Sequence, residues 1–75
     1  MASGSQALAK GSYLLRCKER SFFAAAANGH SAIWPEAEAI SDGKEVRFVR
    51  DGKQIYLCNA VYAAFNFGVA AVLKD

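Results

Sequence analysis

Apolar and polar residues alternate on both sides of Asp51-Gly52, in the segment from Glu45 to Cys58. Alternation with a period of two is typical of a half-buried strand. Asp-Gly favours a two-residue type I′ turn, because both residues tolerate positive φ angles, and the turn fixes the register of the strands. We therefore predict a β-hairpin with strands at 44–50 and 53–58. In this register one face carries Phe48, Ile55, Val46 and Leu57, and the other carries Arg47, Tyr56, Val49 and Gln54.

A third strand is predicted at 12–18. As a strand, this segment places Tyr13, Leu15 and Cys17 on one face. As a helix it would have no clean apolar stripe, because the charged residues from Arg16 to Arg20 would surround its axis. The segment would also supply the third strand that an isolated hairpin needs for stability.

Two short helices are expected before the hairpin. Ser21 is a suitable N-cap for a helix at 21–28, and Asn28-Gly29 is a suitable end for it. Pro35 fits the first position of a second helix at 35–41, whose early glutamates would face the positive end of the helix dipole.

The C-terminal segment 60–73 has two interpretations. Asn59 can cap a helix here that is apolar nearly all round, whereas the alternation of Phe65, Phe67 and Val69 fits an extended strand. We favour the helix. The predicted fold is therefore α+β: a three-stranded antiparallel sheet packed by an apolar C-terminal helix and two short helices. The residues expected to join that helix to the hairpin are Val61, Phe65 and Val72.

The length of 75 residues allows one domain, which we place at 12–75 after a flexible leader at 1–11. A membrane-spanning helix is not expected, and a membrane is not an expected partner. The chain carries no charge from Gln54 to Leu73, but the hairpin uses the start of that run, and 60–73 is shorter than the roughly 20 residues that span a bilayer.

Chemistry-bearing residues are few. Cys17 and Cys58 can form at most one disulfide, and without a convincing secretory signal we expect reduced, core-packed thiols in a cytoplasmic protein. His30 is the single histidine, and we expect it to be a solvated residue in a loop. The sequence contains no phosphate-binding glycine loop and no spacing typical of zinc ligands. We expect no catalytic residue, metal site or cofactor, and an enzyme is the less favoured class.

Three functional hypotheses remain. The first is a non-catalytic interaction module that self-associates or binds another protein through Phe65, Phe67, Val69, Val72 and Trp34. The second is a nucleic-acid-binding protein whose basic sheet face carries Arg16, Lys18, Arg47, Arg50, Lys53 and Tyr56. The third is a ligand-binding or enzyme subunit with a pocket between protomers, lined by His30, Cys17 or Tyr62.

Overall fold

The computed structural model describes residues 6–74, which form an α+β domain around a five-stranded antiparallel sheet. In chain order the elements are β1 (Gly11–Cys17), α1 (Phe22–Ala27), β2 (Glu36–Ser41), β3 (Glu45–Arg50), β4 (Lys53–Asn59), α2 (Ala60–Asn66) and β5 (Phe67–Lys74). The strand order is β4-β3-β2-β1-β5, so the chain crosses back over α2 to place its last strand beside its first. The prediction of a three-stranded sheet packed by a C-terminal helix is wrong, because residues 36–41 and 67–74 are also strands.

The predicted helix at 35–41 is strand β2. Ala37, Ala39 and Ser41 point into the core, and the residues between them point outward. Pro35 precedes the ladder, where its missing N–H costs nothing, and its carbonyl oxygen accepts a hydrogen bond from the Cys17 N–H at 3.0 Å. Helix-start residues and a period-two pattern are both present in this segment. Pairing with β1 and β3 decides between them.

The predicted helix at 60–73 is wrong beyond Asn66. Asn59 does cap the helix, because its side-chain oxygen accepts from the Tyr62 N–H at 2.7 Å. At Phe67 the backbone becomes extended, the ring enters the core, and β5 pairs with the free edge of β1. The backbone groups on that edge need partners, and β5 supplies them.

The hairpin turn at Asp51-Gly52 is confirmed, with φ angles of 54° and 77°. The pairs closest to the turn, Arg50 with Lys53 and Val49 with Gln54, are also as predicted. The register then shifts, and Phe48 lies opposite Tyr56 instead of Ile55. An extra residue in one strand reverses the faces of every residue beyond it.

The consequence of this shift is that the predicted hairpin faces are wrong. Tyr56 and Cys58 share the core face with Phe48 and Val46, whereas Leu57 lies opposite Arg47 on the outer face.

The core lies on one face of the sheet, under the helices and the loop before β2. Helix α2 contacts it through the small residues Ala60 and Ala63. The predicted packing of Val61, Phe65 and Val72 against the hairpin is wrong, because all three side chains are exposed. The larger side chains of the buried cluster are Tyr13, Leu15, Ile33, Val46, Phe48 and Phe67.

Leu8, which lies within the predicted leader, is hydrogen-bonded to elements around this core. The N–H of Leu8 donates to the carbonyl oxygen of Ala60 at 3.0 Å, and the Leu8 carbonyl oxygen accepts from the Ser41 hydroxyl at 2.9 Å. Part of the predicted leader is therefore anchored. Residues 1–5 of that leader lie outside the described part of the chain.

The turn conformation predicts that Gly52→Ala destabilises the domain by about 1–2 kcal/mol, because an L-residue is strained at positive φ. A steric clash is not the cause of this loss, because a Cβ at Gly52 would meet no atom within 4 Å. Gly68→Ala is the matched control: its Cβ also meets nothing, and its φ lies outside the left-handed region. Urea unfolding followed by Trp34 fluorescence measures both changes. Equal losses of stability would contradict the turn assignment.

Candidate functional site

Among the described residues, Glu19, His30 and Tyr62 form a row of polar side chains that are hydrogen-bonded to one another inside the domain. His30 is only 1% exposed. Its Nδ1 lies 2.9 Å from Oε2 of Glu19, and its Nε2 lies 2.7 Å from the Tyr62 hydroxyl. Carboxylate, imidazole and phenol are therefore joined in a line inside the domain, and the expectation that His30 is a solvated loop residue is wrong.

The end of α1 turns His30 inward. Helix α1 begins at the predicted cap, where the Ser21 hydroxyl accepts from the Ala24 N–H at 3.1 Å. At the other end, the Gly29 N–H donates to Ala26 at 3.0 Å and the His30 N–H donates to Ala25 at 2.7 Å. This pair of bonds is a Schellman motif, in which the residue after the glycine folds back on the last helical turn.

Glu19 is held beside His30 by a second donor. The Asn28 side-chain nitrogen donates to the same Glu19 Oε2 at 2.7 Å. Burial acts to raise the pKa of Glu19, but hydrogen bonds from Asn28, the backbone and His30 outweigh it and hold the pKa below its usual value. Glu19 is therefore ionised at neutral pH. Its other oxygen, Oε1, is buried and has no hydrogen-bond partner within the described residues.

Aromatic rings fill the space around His30. The ring centroids of Phe67, Tyr56 and Tyr62 lie 4.8, 5.8 and 5.9 Å from that of the imidazole. Burial, followed by hydrogen bonding to Tyr62, raises the pKa of Tyr56, so its phenol stays neutral. The Tyr62 hydroxyl is already engaged by His30. We call the three hydrogen-bonded residues Glu19, His30 and Tyr62 the clasp, because they join the loop after β1, the end of α1 and helix α2. The groups of the clasp bond to one another, so its geometry is that of a structural contact and not of an accessible nucleophile.

The two cysteines are unpaired. Burial, and then the nearby charge of Glu19, raise the pKa of Cys17, and burial raises the pKa of Cys58 to about 11. Both thiols are therefore protonated at neutral pH, which makes them poor nucleophiles and poor metal ligands. Within residues 6–74, no group of three or more His, Cys, Asp or Glu side chains is placed to hold a metal ion.

The residues predicted for a protein interface lie in different environments. Phe67 is 3% exposed and belongs to the core, and Trp34 packs partly buried against it. Phe65 is exposed on α2. Val69 and Val72 are exposed on β5 and form the part of the predicted set that lies together on one element.

The residues predicted for a nucleic-acid surface are dispersed. Arg50 donates to the carbonyl oxygens of Ala32 and Glu36, both at 2.8 Å, and so holds the loop before β2. Tyr56 faces the core. The remaining basic residues have three settings: Arg16 forms an ion pair with Glu36 at 2.8 Å, Lys18 donates to the carbonyl oxygen of Phe65 at 2.9 Å, and Arg47 and Lys53 are exposed on the hairpin.

Comparisons with protein-family models, with curated proteins and with solved structures give no match. Neither helix in the described part of the chain has the length and apolar character that crossing a membrane requires.

The clasp predicts that Tyr62→Phe lowers the free energy of unfolding by about 1–3 kcal/mol, because it leaves the buried Nε2 of His30 without a partner. Tyr13→Phe is the matched control. It also removes one phenolic hydrogen bond, but the acceptor is the carbonyl oxygen of Ala9, an exposed residue that water can reach. Chemical denaturation should show the larger loss for Tyr62→Phe, and the reverse order would contradict the clasp.

The lowered pKa of Glu19 predicts acid sensitivity. The stability that ionised Glu19 contributes is complete above its usual pKa of 4.5 and is lost as the pH falls through the lower pKa of the folded state. Glu19→Gln should therefore unfold more easily than the wild type at pH 7, and the difference should shrink below about pH 4.5. A difference that is constant across this range in denaturation curves would show that the carboxylate charge is not involved.

Proposed function

We propose that this chain is a small, non-catalytic assembly module that pairs with a second copy through β5. The observation that carries the proposal is the outer edge of β5, which is uncovered in the described part of the chain and has only apolar residues from Phe67 to Leu73. Strand order puts β5 at one end of the sheet, with β1 on its inner side only. Backbone N–H and C=O groups on such an edge are a template for pairing with another strand.

The residues of β5 do little to prevent such pairing. Phe67 to Leu73 contains no charged residue and no proline, and Lys74 at the very end is the first charge. Both edge strands have one terminal charge, Lys53 in β4 and Lys74 in β5, and both have bulges, so these features do not separate them. Strand β4 also carries the polar side chains of Gln54 and Asn59, whereas the residues of β5 before Lys74 are all apolar. We therefore assign the contact to β5 and not to β4, because burying polar side chains without partners at a contact costs free energy.

The side chains of β5 favour the same contact. Its pairing with β1 skips Ala70 and Leu73, so Val69 lies opposite Leu15 and Val72 lies opposite Tyr13. Both valines consequently lie on the core-side face, because Leu15 and Tyr13 point into the core. Neither helix of the described residues 6–74 buries them, and Val72 is 60% exposed. Bulges also strengthen the twist of β5, which shortens the stretch available for pairing.

A second copy of this chain is the partner that best fits the edge of β5. Antiparallel pairing of β5 with itself is related by a two-fold axis perpendicular to the sheet, so one strand meets an identical strand and forms a closed dimer. The valines of the two copies then shield one another from water. Because a pair of eight-residue strands makes a small contact, we expect a dissociation constant on the order of micromolar.

The nucleic-acid hypothesis receives less support, because Tyr56 faces the core and Arg50 is occupied by carbonyl oxygens. An enzyme or ligand-binding subunit also receives less support, because rings occupy the surroundings of His30. A cytoplasmic location remains a proposal that is consistent with two unpaired thiols.

The dimer predicts that Val72→Lys gives a monomer. The substitution puts a charge on the paired edge and brings two like charges together in the assembly, while the exposed position leaves the stability of the monomer within about 0.5 kcal/mol of the wild type. Light scattering coupled to size exclusion, over a series of concentrations, measures the mass. The wild type should approach the mass of two chains as concentration rises, and Val72→Lys should not.

Leu57→Lys is the matched control, because it charges an exposed apolar residue on the other edge strand. It should dimerise like the wild type. A wild type that keeps the mass of one chain at every concentration would contradict the proposal. A dimer that Leu57→Lys dissociates as effectively as Val72→Lys would contradict the assignment to β5.

A further inference from the structure

A pair of phenylalanines projects from α1 into solvent. Phe23 is 82% exposed and Phe22 is 48% exposed, and their rings are in edge contact with centroids 6.0 Å apart. Of the helix residues, Ala25 alone is buried, so the core does not use these rings. Exposed aromatic groups of this kind mark a surface that contacts something apolar.

The charges beside the pair all have one sign. Lys18 and Arg20 are exposed immediately before it, and the Lys18 Nζ also donates to the carbonyl oxygen of Phe65 at 2.9 Å, which leaves two of its three N–H groups for a partner. The acidic residue of the segment 18–34 is Glu19, and its carboxylate turns inward to Asn28 and His30. The protein therefore presents a surface of two cations and two aromatic rings with no carboxylate of the same segment exposed. We call Lys18, Arg20, Phe22 and Phe23 the aromatic tip.

We propose that the aromatic tip docks on the surface of an anionic phospholipid membrane. Aromatic rings gain by entering the boundary between headgroups and acyl chains, and basic residues gain by lying against anionic headgroups. The aromatic tip carries both groups within residues 18–23, and Ser21, which lies between them in sequence, fixes the start of the helix that carries the rings. This contact is peripheral and needs no segment that crosses the bilayer.

One aromatic tip is sufficient for membrane docking. The dimer proposed above would raise the affinity for the membrane. A two-fold axis perpendicular to the sheet keeps the helix-bearing faces of both copies on the same side. Both aromatic tips would therefore contact the same membrane, and the affinity of a dimer that binds through two sites exceeds the affinity of a monomer that binds through one. A monomeric variant, Val72→Lys, should still sediment with vesicles, but less completely than the dimer, so failure of docking and failure of self-association are distinguishable.

Co-sedimentation with vesicles tests the proposal, using phosphatidylcholine alone and phosphatidylcholine mixed with phosphatidylserine. The wild type should bind the mixed vesicles and leave them as salt is raised. Removing both rings, in Phe22→Ser with Phe23→Ser, should weaken binding by about tenfold or more. Lys18→Gln with Arg20→Gln should also weaken it, by about fivefold per charge near the surface.

The control variant is Ile40→Ser, which removes an exposed apolar side chain from β2, on the sheet face away from the helices. It should bind as the wild type does. The proposal is overturned if the wild type does not bind the mixed vesicles, as expected if the tip instead serves a protein partner, or if the double serine variant binds them undiminished. Equal binding to vesicles without phosphatidylserine would contradict the role of Lys18 and Arg20.

Discussion

Burial of the Phe67 ring is the contact on which the rest of the structure depends. Phe67 stands at the junction of α2 and β5, and its ring lies 4.8 Å from that of His30 and 5.0 Å from that of Phe48, measured between centroids. A ring placed there requires the chain to leave the helix at Asn66 and continue as an extended strand opposite Cys17. The same ring closes the space around His30, so one side chain links the sheet, the last helix and the buried Glu19–His30–Tyr62 chain.

The helices cover only one face of this sheet. That constraint explains where apolar side chains remain exposed on the surface. Two helices of six and seven residues cannot shield five strands, so apolar side chains remain exposed at the end of the sheet and on the helices. In the described residues, this exposure coincides with a second feature at the edge of β5 and at the aromatic tip, which includes the start of α1. At β5 that feature is an uncharged open edge, and at the aromatic tip it is a pair of cations. The proposed assembly through β5 and the proposed docking through the aromatic tip each rest on one of these two coincidences.

Local signals in the sequence predicted the local structure, and tertiary pairing decided the rest. Asp51-Gly52, Ser21 and Asn59 act as their residue types predict, because turns and caps depend on neighbours in the chain. The shift that leaves out Ile55, the strand at 36–41 and the strand after Asn66 depend on partners distant in sequence, which periodicity does not reveal. The inward position of His30 was readable: Asn28-Gly29 predicts the helix end, and the residue after such a glycine usually folds back on the helix.

Residue-resolved amide hydrogen exchange distinguishes whether the edge of β5 is the contact between copies that we propose. Exchange should be measured by NMR at low and at high protein concentration, because an edge amide that is open in the monomer becomes hydrogen-bonded in the dimer. Outward-facing amides between Phe67 and Lys74 should exchange more slowly at high protein concentration, while those of β4 should keep their rates. Rates in β5 that do not change with concentration, or protection that develops in β4 instead, would contradict the contact through β5.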